Sequence, residues 1–79
     1  MIKLARSDPS KNMHRFYALQ LVPTLFGEWV LVAEWGRIGW PGTVQQKVFQ
    51  SLDLAKAALE KRQTVKIRRG YRHSPQSSA

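Results

Sequence analysis

Residues 28–35 of this chain alternate without a break. Trp29, Leu31, Ala33 and Trp35 share one parity; Glu28, Val30, Val32 and Glu34 share the other. Successive side chains on a strand point to opposite faces, so the segment fits an antiparallel sheet with one buried and one wetter face. Arg15 to Val22 follows the same rule, with Tyr17, Leu19 and Leu21 opposed to Phe16, Ala18, Gln20 and Val22. Pro23 cannot donate to a ladder and ends that strand. The connection from Pro23 to Gly27 is short, as antiparallel neighbours require. By parity Trp35 points at the core, unless Gly36 twists or bulges the strand end; a rim position, half packed and half open, satisfies both demands.

Two more strands and one helix complete the pattern. Ile2 to Arg6 alternates apolar and basic residues, and the turn formers of Ser7 to Asn12 stop it. Thr43 to Gln50 places Val44, Gln46 and Val48 on one side and Gln45, Lys47 and Phe49 on the other. Such mixed faces predict an edge strand, with Lys47 discouraging stray pairing. Ser51 is a good N-cap, and Asp53 complements the helix dipole in the first turn. Leu54, Ala55, Ala58, Leu59, Arg62 and Val65 then recur at helical spacing and predict a narrow packing stripe. Gly70 can end or follow the helix, and Tyr71 can dock back on the body. The expected fold is α+β: a small antiparallel sheet of about four strands with one helix laid across it. Residues 1–72 form the domain, and 73–79, with Pro, Gln and Ser, read as a frayed tail.

The bulk numbers narrow the function. The chain has 79 residues, a net charge of +8 and no cysteine. One small domain with a thin core is the limit of such a length. Disulfides, thiolate metal sites and thiol catalysis are excluded. The positive field favours nucleic acid, an anionic membrane surface or an acidic protein. Glu28 and Glu34 interrupt the longest apolar run, so no membrane span is expected. Met1 to Arg6 is too short and charged for a secretory signal, which makes an intracellular, soluble, cytoplasmic protein the expectation. The charge is uneven: Lys56, Lys61, Arg62, Lys66, Arg68, Arg69 and Arg72 crowd the helix and its exit against Glu60 alone. A solvated helix face is the ordinary account, but so lopsided a run favours a surface that meets anions.

Catalysis finds little support. The acids are Asp8, Glu28, Glu34, Asp53 and Glu60. Glu28 and Glu34 share a strand face but stand roughly 20 Å apart at ~3.3 Å per residue, too far for paired carboxylate work. His14 and His73 have no evident metal partners, and no phosphate-loop, dinucleotide or hydrolase motif is present. No cofactor or metal is expected, and the chain is not expected to be an enzyme.

Nucleic-acid binding is better supplied. The stretch Glu34-Trp35-Gly36-Arg37-Ile38-Gly39-Trp40-Pro41-Gly42 combines indoles, a guanidinium and chain-reversing glycines. Arginine and lysine make phosphate contacts, and aromatic rings stack on bases or sugars. The candidate contacts are Trp35, Gly36, Arg37, Trp40, Asn12, Arg15, Lys47, Arg69 and Tyr71, with Lys11 as a further cation. For Trp35 a place in the core is the competing reading, and for Asn12 a plain turn. No sequence-reading helix is evident, so backbone, end or single-strand recognition is expected over base readout. DNA is favoured over RNA, and a monomer over an oligomer. The alternatives are a module that docks an acidic protein and an RNA-binding accessory protein.

Four segments together resemble the WGR domain: Arg15-Phe16-Tyr17-Ala18-Leu19-Gln20-Leu21, Glu34-Trp35-Gly36-Arg37-Ile38-Gly39, Phe49-Gln50-Ser51 with Ala55 and Ala58, and Arg69-Gly70-Tyr71. The resemblance covers about residues 2–72 and is closest to small or stand-alone bacterial-type members. It implies a curved antiparallel sheet with one packed helix. In DNA-damage-responsive poly(ADP-ribose) polymerases such a domain binds DNA breaks and relays the contact to a catalytic region, which would make a protein with a catalytic domain a possible partner. There the triplet's tryptophan packs on the sugar-phosphate chain near a strand end and its arginine makes polar contacts. By motif position those roles fall on Trp35 and Arg37. The family commonly follows the triplet with a Gly-Thr type turn, whereas here Gly39-Trp40-Pro41-Gly42 precedes Thr43.

Overall fold

The computed structural model of the chain describes residues 1–73. Five strands and one long helix follow in the order β1 (Ile2–Asp8), β2 (Met13–Pro23), β3 (Trp29–Arg37), β4 (Thr43–Phe49), α1 (Leu52–Arg68) and β5 (Arg72–His73). A 3-10 turn, Pro9–Lys11, joins β1 to β2. The strands form one antiparallel sheet ordered β4-β3-β2-β1-β5. The fold is α+β, with one strand more than the sequence predicts. The extra strand is two residues long and carries only Arg72 and His73, which pair with Ala5 and Leu4. Pairing therefore reaches His73, the first residue of the stretch read as a tail; residues 74–79 lie outside the described residues.

Parity decides the core. Leu4, Tyr17, Leu19, Leu31 and Ala33 are buried on one face, with Tyr71 closing over them. Leu4 pairs with Tyr17, Tyr17 with Trp35, Leu19 with Ala33, and Leu21 with Leu31, so apolar side chains meet rung by rung. Complete burial of Leu4, Leu19 and Leu31 contributes about 1.5–3 kcal/mol for each side chain.

The helix begins where its cap dictates. Leu54 N–H donates to Ser51 Oγ at 3.2 Å, and Asp53 lies in the first turn. At the other end Gly70 adopts φ +100°, Gly70 N–H donates to Ile67 O, and Tyr71 N–H donates to Lys66 O, both at 3.0 Å. This paired closure around a left-handed glycine is the Schellman arrangement. It turns the chain so that Tyr71 enters the core and β5 meets β1.

The packing stripe of α1 differs from the expected one. Ala55 is fully buried, and Ala58 and Leu59 pack on the core, but Leu54 and Val65 are 55% and 38% exposed. Ala55 sits at the close approach to the sheet, so Leu54, one residue or about 100° back around the axis, turns outward. By the same rotation Lys66, not Val65, lies over the aromatic rings.

Candidate nucleic-acid interface

The Trp-Gly-Arg triplet occupies the last three positions of β3, not the turn that follows. The strand continues because Phe16 pairs with Gly36 and Arg15 with Arg37, and Ile38 N–H still donates to His14 O at 2.9 Å. The reversal comes one step later. Trp40 N–H donates to Arg37 O at 3.0 Å, with Gly39 at φ +89°. A β-turn with positive φ at its third residue selects glycine there.

Two rungs beyond the Leu4–Tyr17–Trp35 rung lies a row of three arginines. Arg6 pairs with Arg15, and Arg15 with Arg37. Each stands two residues from a member of the aromatic rung, so all three project on the face that carries α1. Like charges directly opposite one another destabilise a sheet, by roughly 0.2–1 kcal/mol per pair. The nearest carboxylate, Asp8, offsets part of the charge at the Arg6 end, and it also accepts from Ser10 Oγ at 2.6 Å and Ser10 N–H at 3.2 Å. The Ser10 hydroxyl bond is the main reason its pKa falls below the ordinary aspartate value.

The same end of the sheet opens into a cleft of about 350 Å³ lined by Lys11, Asn12, Met13, His14, Arg15, Gly36 and Arg37. Asn12 reaches it by closing the 3-10 turn in a left-handed conformation, φ 51°, with its N–H donating to Pro9 O at 3.1 Å. Asparagine tolerates that conformation better than most residues. Three cations and an amide thus face one opening that no carboxylate lines.

Trp35 is half-buried, and its ring stacks on Tyr17 with centroids 5.8 Å apart and planes 28° from parallel. It holds the predicted rim position: one side of the indole belongs to the core, and the remainder borders the arginine row. Gly36, on the opposite face, is required by close packing. A Cβ there would come within 3.1 Å of Gly42 Cα, and a Cβ on Gly42 within 2.7 Å of Trp35 O and 2.8 Å of Phe16 Cζ. The two glycines let the turn fold flat against the strand end that bears Trp35 and Arg37. Trp40, 66% exposed, stands at the outer corner of that turn.

Further cations gather over the aromatic rung. Arg62 donates to Tyr17 Oη at 3.1 Å and to Gln45 Oε1 at 2.7 Å. The Lys66 ammonium lies 4.8 Å from the Tyr17 ring centre and 5.7 Å from that of Tyr71. Burial, then the nearby Arg69 and Arg62, pushes the Lys66 pKa below the ordinary lysine value. Arg69 is the C-cap of α1, and Arg6 lies directly beneath Gly70.

Of the residues singled out from sequence, the structure brings Asn12, Arg15, Gly36 and Arg37 together at one cleft, with Lys11 beside them and Trp35 one residue away. Trp40 flanks that group on the following turn. Tyr71 is a core residue, its ring edge-on to Tyr17 at 6.4 Å. Lys47 lies elsewhere, on β4 beside Phe49 and opposite Leu31. Arg6 was missed. Its alternation with Leu4 marks the face it occupies, but only the β1–β2 register puts it beside Arg15.

A one-sided sheet under a single helix, with a row of three arginines across β1, β2 and β3 at one end, defines a small α+β module. The WGR domain family matches residues 2–78, and the chain belongs to that family. WGR domains are in general nucleic-acid-binding or partner-docking modules related to those of poly(ADP-ribose) polymerases. The chain is also 42% identical over 71 residues to a Sinorhizobium fredii protein named "Uncharacterized protein y4dW", a match covering 89% of this chain. The match spans 34%, about a third, of that relative's length. No solved structure matches the chain significantly. Among the described residues no helix is long and apolar enough to cross a membrane.

Proposed function

We propose that this chain is a non-catalytic, monomeric module that binds DNA at ends, nicks or single-strand junctions through its sugar-phosphate chain, with little sequence preference. The observation that carries the reading is the Arg6–Arg15–Arg37 row beside the half-open Trp35. Three guanidiniums on adjacent strands repel one another in the free protein, and a phosphate chain laid across them removes that repulsion. Lys11 and Asn12 extend the same surface around the end of the sheet. The exposed part of Trp35 offers an apolar plane to a terminal sugar or base, a contact that a duplex interior does not present. Arginine forks suit phosphate oxygens geometrically, and nothing in the row reads base edges.

Fluorescence anisotropy with three labelled ligands tests this: a duplex with free ends, the same duplex closed by hairpins, and a matched RNA duplex. Each is titrated at about 50 and 200 mM salt, where phosphate-dominated binding differs steeply. The reading expects the open DNA to bind tightest and Arg15→Gln and Arg37→Gln to weaken it. Equal affinity for all three ligands would reduce the site to a generic basic surface. A preference for RNA would favour the accessory RNA-binding role, and absence of binding at the lower salt would turn attention to an acidic protein partner.

A further inference from the structure

A second cationic feature lies outside the end of the sheet. Between α1 and the edge strand β4 runs an open groove of about 430 Å³, lined by Tyr17, Lys47, Phe49, Ala58, Lys61, Arg62, Val65 and Lys66. Tyr17, Phe49 and Ala58 supply its aromatic and apolar surface. Lys47 stands on the strand side, and Lys61, Arg62 and Lys66 on the helix side, with no carboxylate among the lining residues. Two of these cations are held in place: Arg62 by Tyr17 Oη and Gln45 Oε1, and Lys66 over the Tyr17 ring.

Solvated lysines alone do not account for this arrangement. The helix turns Arg62 and Lys66 toward the sheet while Leu54 is left 55% exposed, the reverse of what apolar burial favours. Lys66 is held there against burial and two neighbouring arginines that both disfavour its charge. Cations on both walls over an aromatic surface are the usual furniture of a site for single-stranded nucleic acid. The volume is that of a small-ligand pocket, room for about one or two nucleotides at a time and not for a double helix.

The groove joins the arginine row. Tyr17, which lines the groove, is two residues from Arg15 along β2 and pairs with Trp35. From Thr43, the partner of Trp35, to Phe49 the edge strand runs seven residues, or roughly 20 Å at ~3.3 Å per residue.

We propose that this groove holds the single-stranded extension of a DNA end, which leaves the duplex at Trp35 and passes over Tyr17 between Lys47 and the helix cations toward Phe49. The inference rests on the DNA-end reading above and refines it: the preferred ligand is an end with an overhang, not a blunt one. Phosphates pair with Lys47, Lys61 and Lys66, and a base stacks against the exposed part of Phe49.

The test uses the whole chain and hairpin-closed DNA stems with a single open end, either blunt or extended by a short thymidine tail of 5′ or 3′ polarity. One polarity of tail should bind at least about fivefold tighter than the blunt end, the scale of one stacked base. The double variant Lys47→Gln, Lys61→Gln should bring that advantage below about twofold, whereas Arg37→Gln should weaken blunt and tailed ends alike; contacts to the tail and contacts to the duplex end are separable in this way. Both substituted lysines are exposed, so the thermal midpoint of the double variant should stay close to that of the parent. Equal affinity for blunt and tailed ends, with blunt-end binding intact, overturns the groove and leaves the end-binding reading standing. An advantage that survives in the double variant also overturns the groove. Failure to bind any of the stems overturns the end-binding reading itself.

Discussion

Arg15 on β2 and Arg37 on β3 are direct cross-strand partners, and Arg6 pairs with Arg15 from the other side. Unlike-charge pairs support a sheet and like-charge pairs oppose it. A purely structural role would therefore be better served by almost any neutral residue at these positions. Arg15→Gln or Arg37→Gln should raise stability at low salt by about 0.2–1 kcal/mol. Either change should lower DNA affinity and make its salt dependence shallower by about 0.9 log units per log unit of salt for each phosphate that is no longer neutralised. Urea unfolding at two salt concentrations and anisotropy over a salt series measure the two effects. A variant that loses both stability and affinity would mean that the arginines brace the fold.

Trp35 and Trp40 should separate cleanly. Trp35 stacks on Tyr17, so Trp35→Ala is expected to cost about 2 kcal/mol, below the full range for a buried indole because the ring is only partly buried. Trp35→Phe keeps a ring against Tyr17 and should cost less than about 1 kcal/mol. Trp40 is 66% exposed, so Trp40→Ala should stay within about 0.5 kcal/mol, as surface substitutions of this kind do. Binding loss in Trp35→Phe, at nearly unchanged stability, marks the indole as a contact. Denaturation midpoints and anisotropy on the three variants decide it.

The glycines of the turn should differ in cost. Gly42→Ala drives a Cβ to 2.7 Å from Trp35 O and 2.8 Å from Phe16 Cζ, whereas Gly36→Ala meets its nearest atom at 3.1 Å. Overpacking of this kind costs about 1–3 kcal/mol, and Gly42→Ala should fall at the upper end because backbone must move. Gly39→Ala meets no atom within 4 Å but is held at φ +89°; a Cβ in that region costs about 1–2 kcal/mol. Calorimetry on the three variants should rank Gly42→Ala as the most damaging.

Lys66 gives a pH signature. Its pKa is lowered in the folded protein, chiefly by burial and then by Arg69 and Arg62. In the window just below the ordinary lysine value of 10.5, the unfolded chain therefore holds more protons at this position than the folded one. Its contribution to stability accordingly grows as pH rises through that window. A bound phosphate favours the ammonium form, raises the pKa and draws in a proton. Titration calorimetry in two buffers of different ionisation enthalpy should detect proton uptake on DNA binding within that window. Lys66→Met should abolish the uptake.

Local chemistry carried the sequence reading a long way. Alternation placed Tyr17, Leu19, Leu31 and Ala33 on the buried face, and Ser51 marked the helix start, because both depend on residues close in the chain. What escaped depended on partners far apart. The pairing of Arg6 with Arg15 requires the β1–β2 register, which no local pattern states. The two-residue β5 has no strand signal and forms because the turn at Gly70 delivers Arg72 beside Ala5. The inward position of Lys66, outside the expected stripe that already held Arg62, follows from how closely Ala55 approaches the sheet. The triplet reads as a turn because glycine suggests one, but β2 is long enough to pair Arg37 and carry the strand through it.

The sheet has two faces, and α1 covers one. On the other, Val22, Val30 and Val48 form a single rung, while Leu25 and Phe26 stand out from the adjoining loop at 98% and 87% exposure. Exposed apolar side chains of this kind adhere to their like, and the net charge of +8 is the force that keeps such molecules apart. Any polyanion that neutralises the cationic face therefore also lowers the colloidal barrier on the valine face. Domains crowded along one nucleic-acid strand would meet as sticky particles stripped of their repulsion, so a polyanion bound on one side of this sheet would govern how the bare side associates.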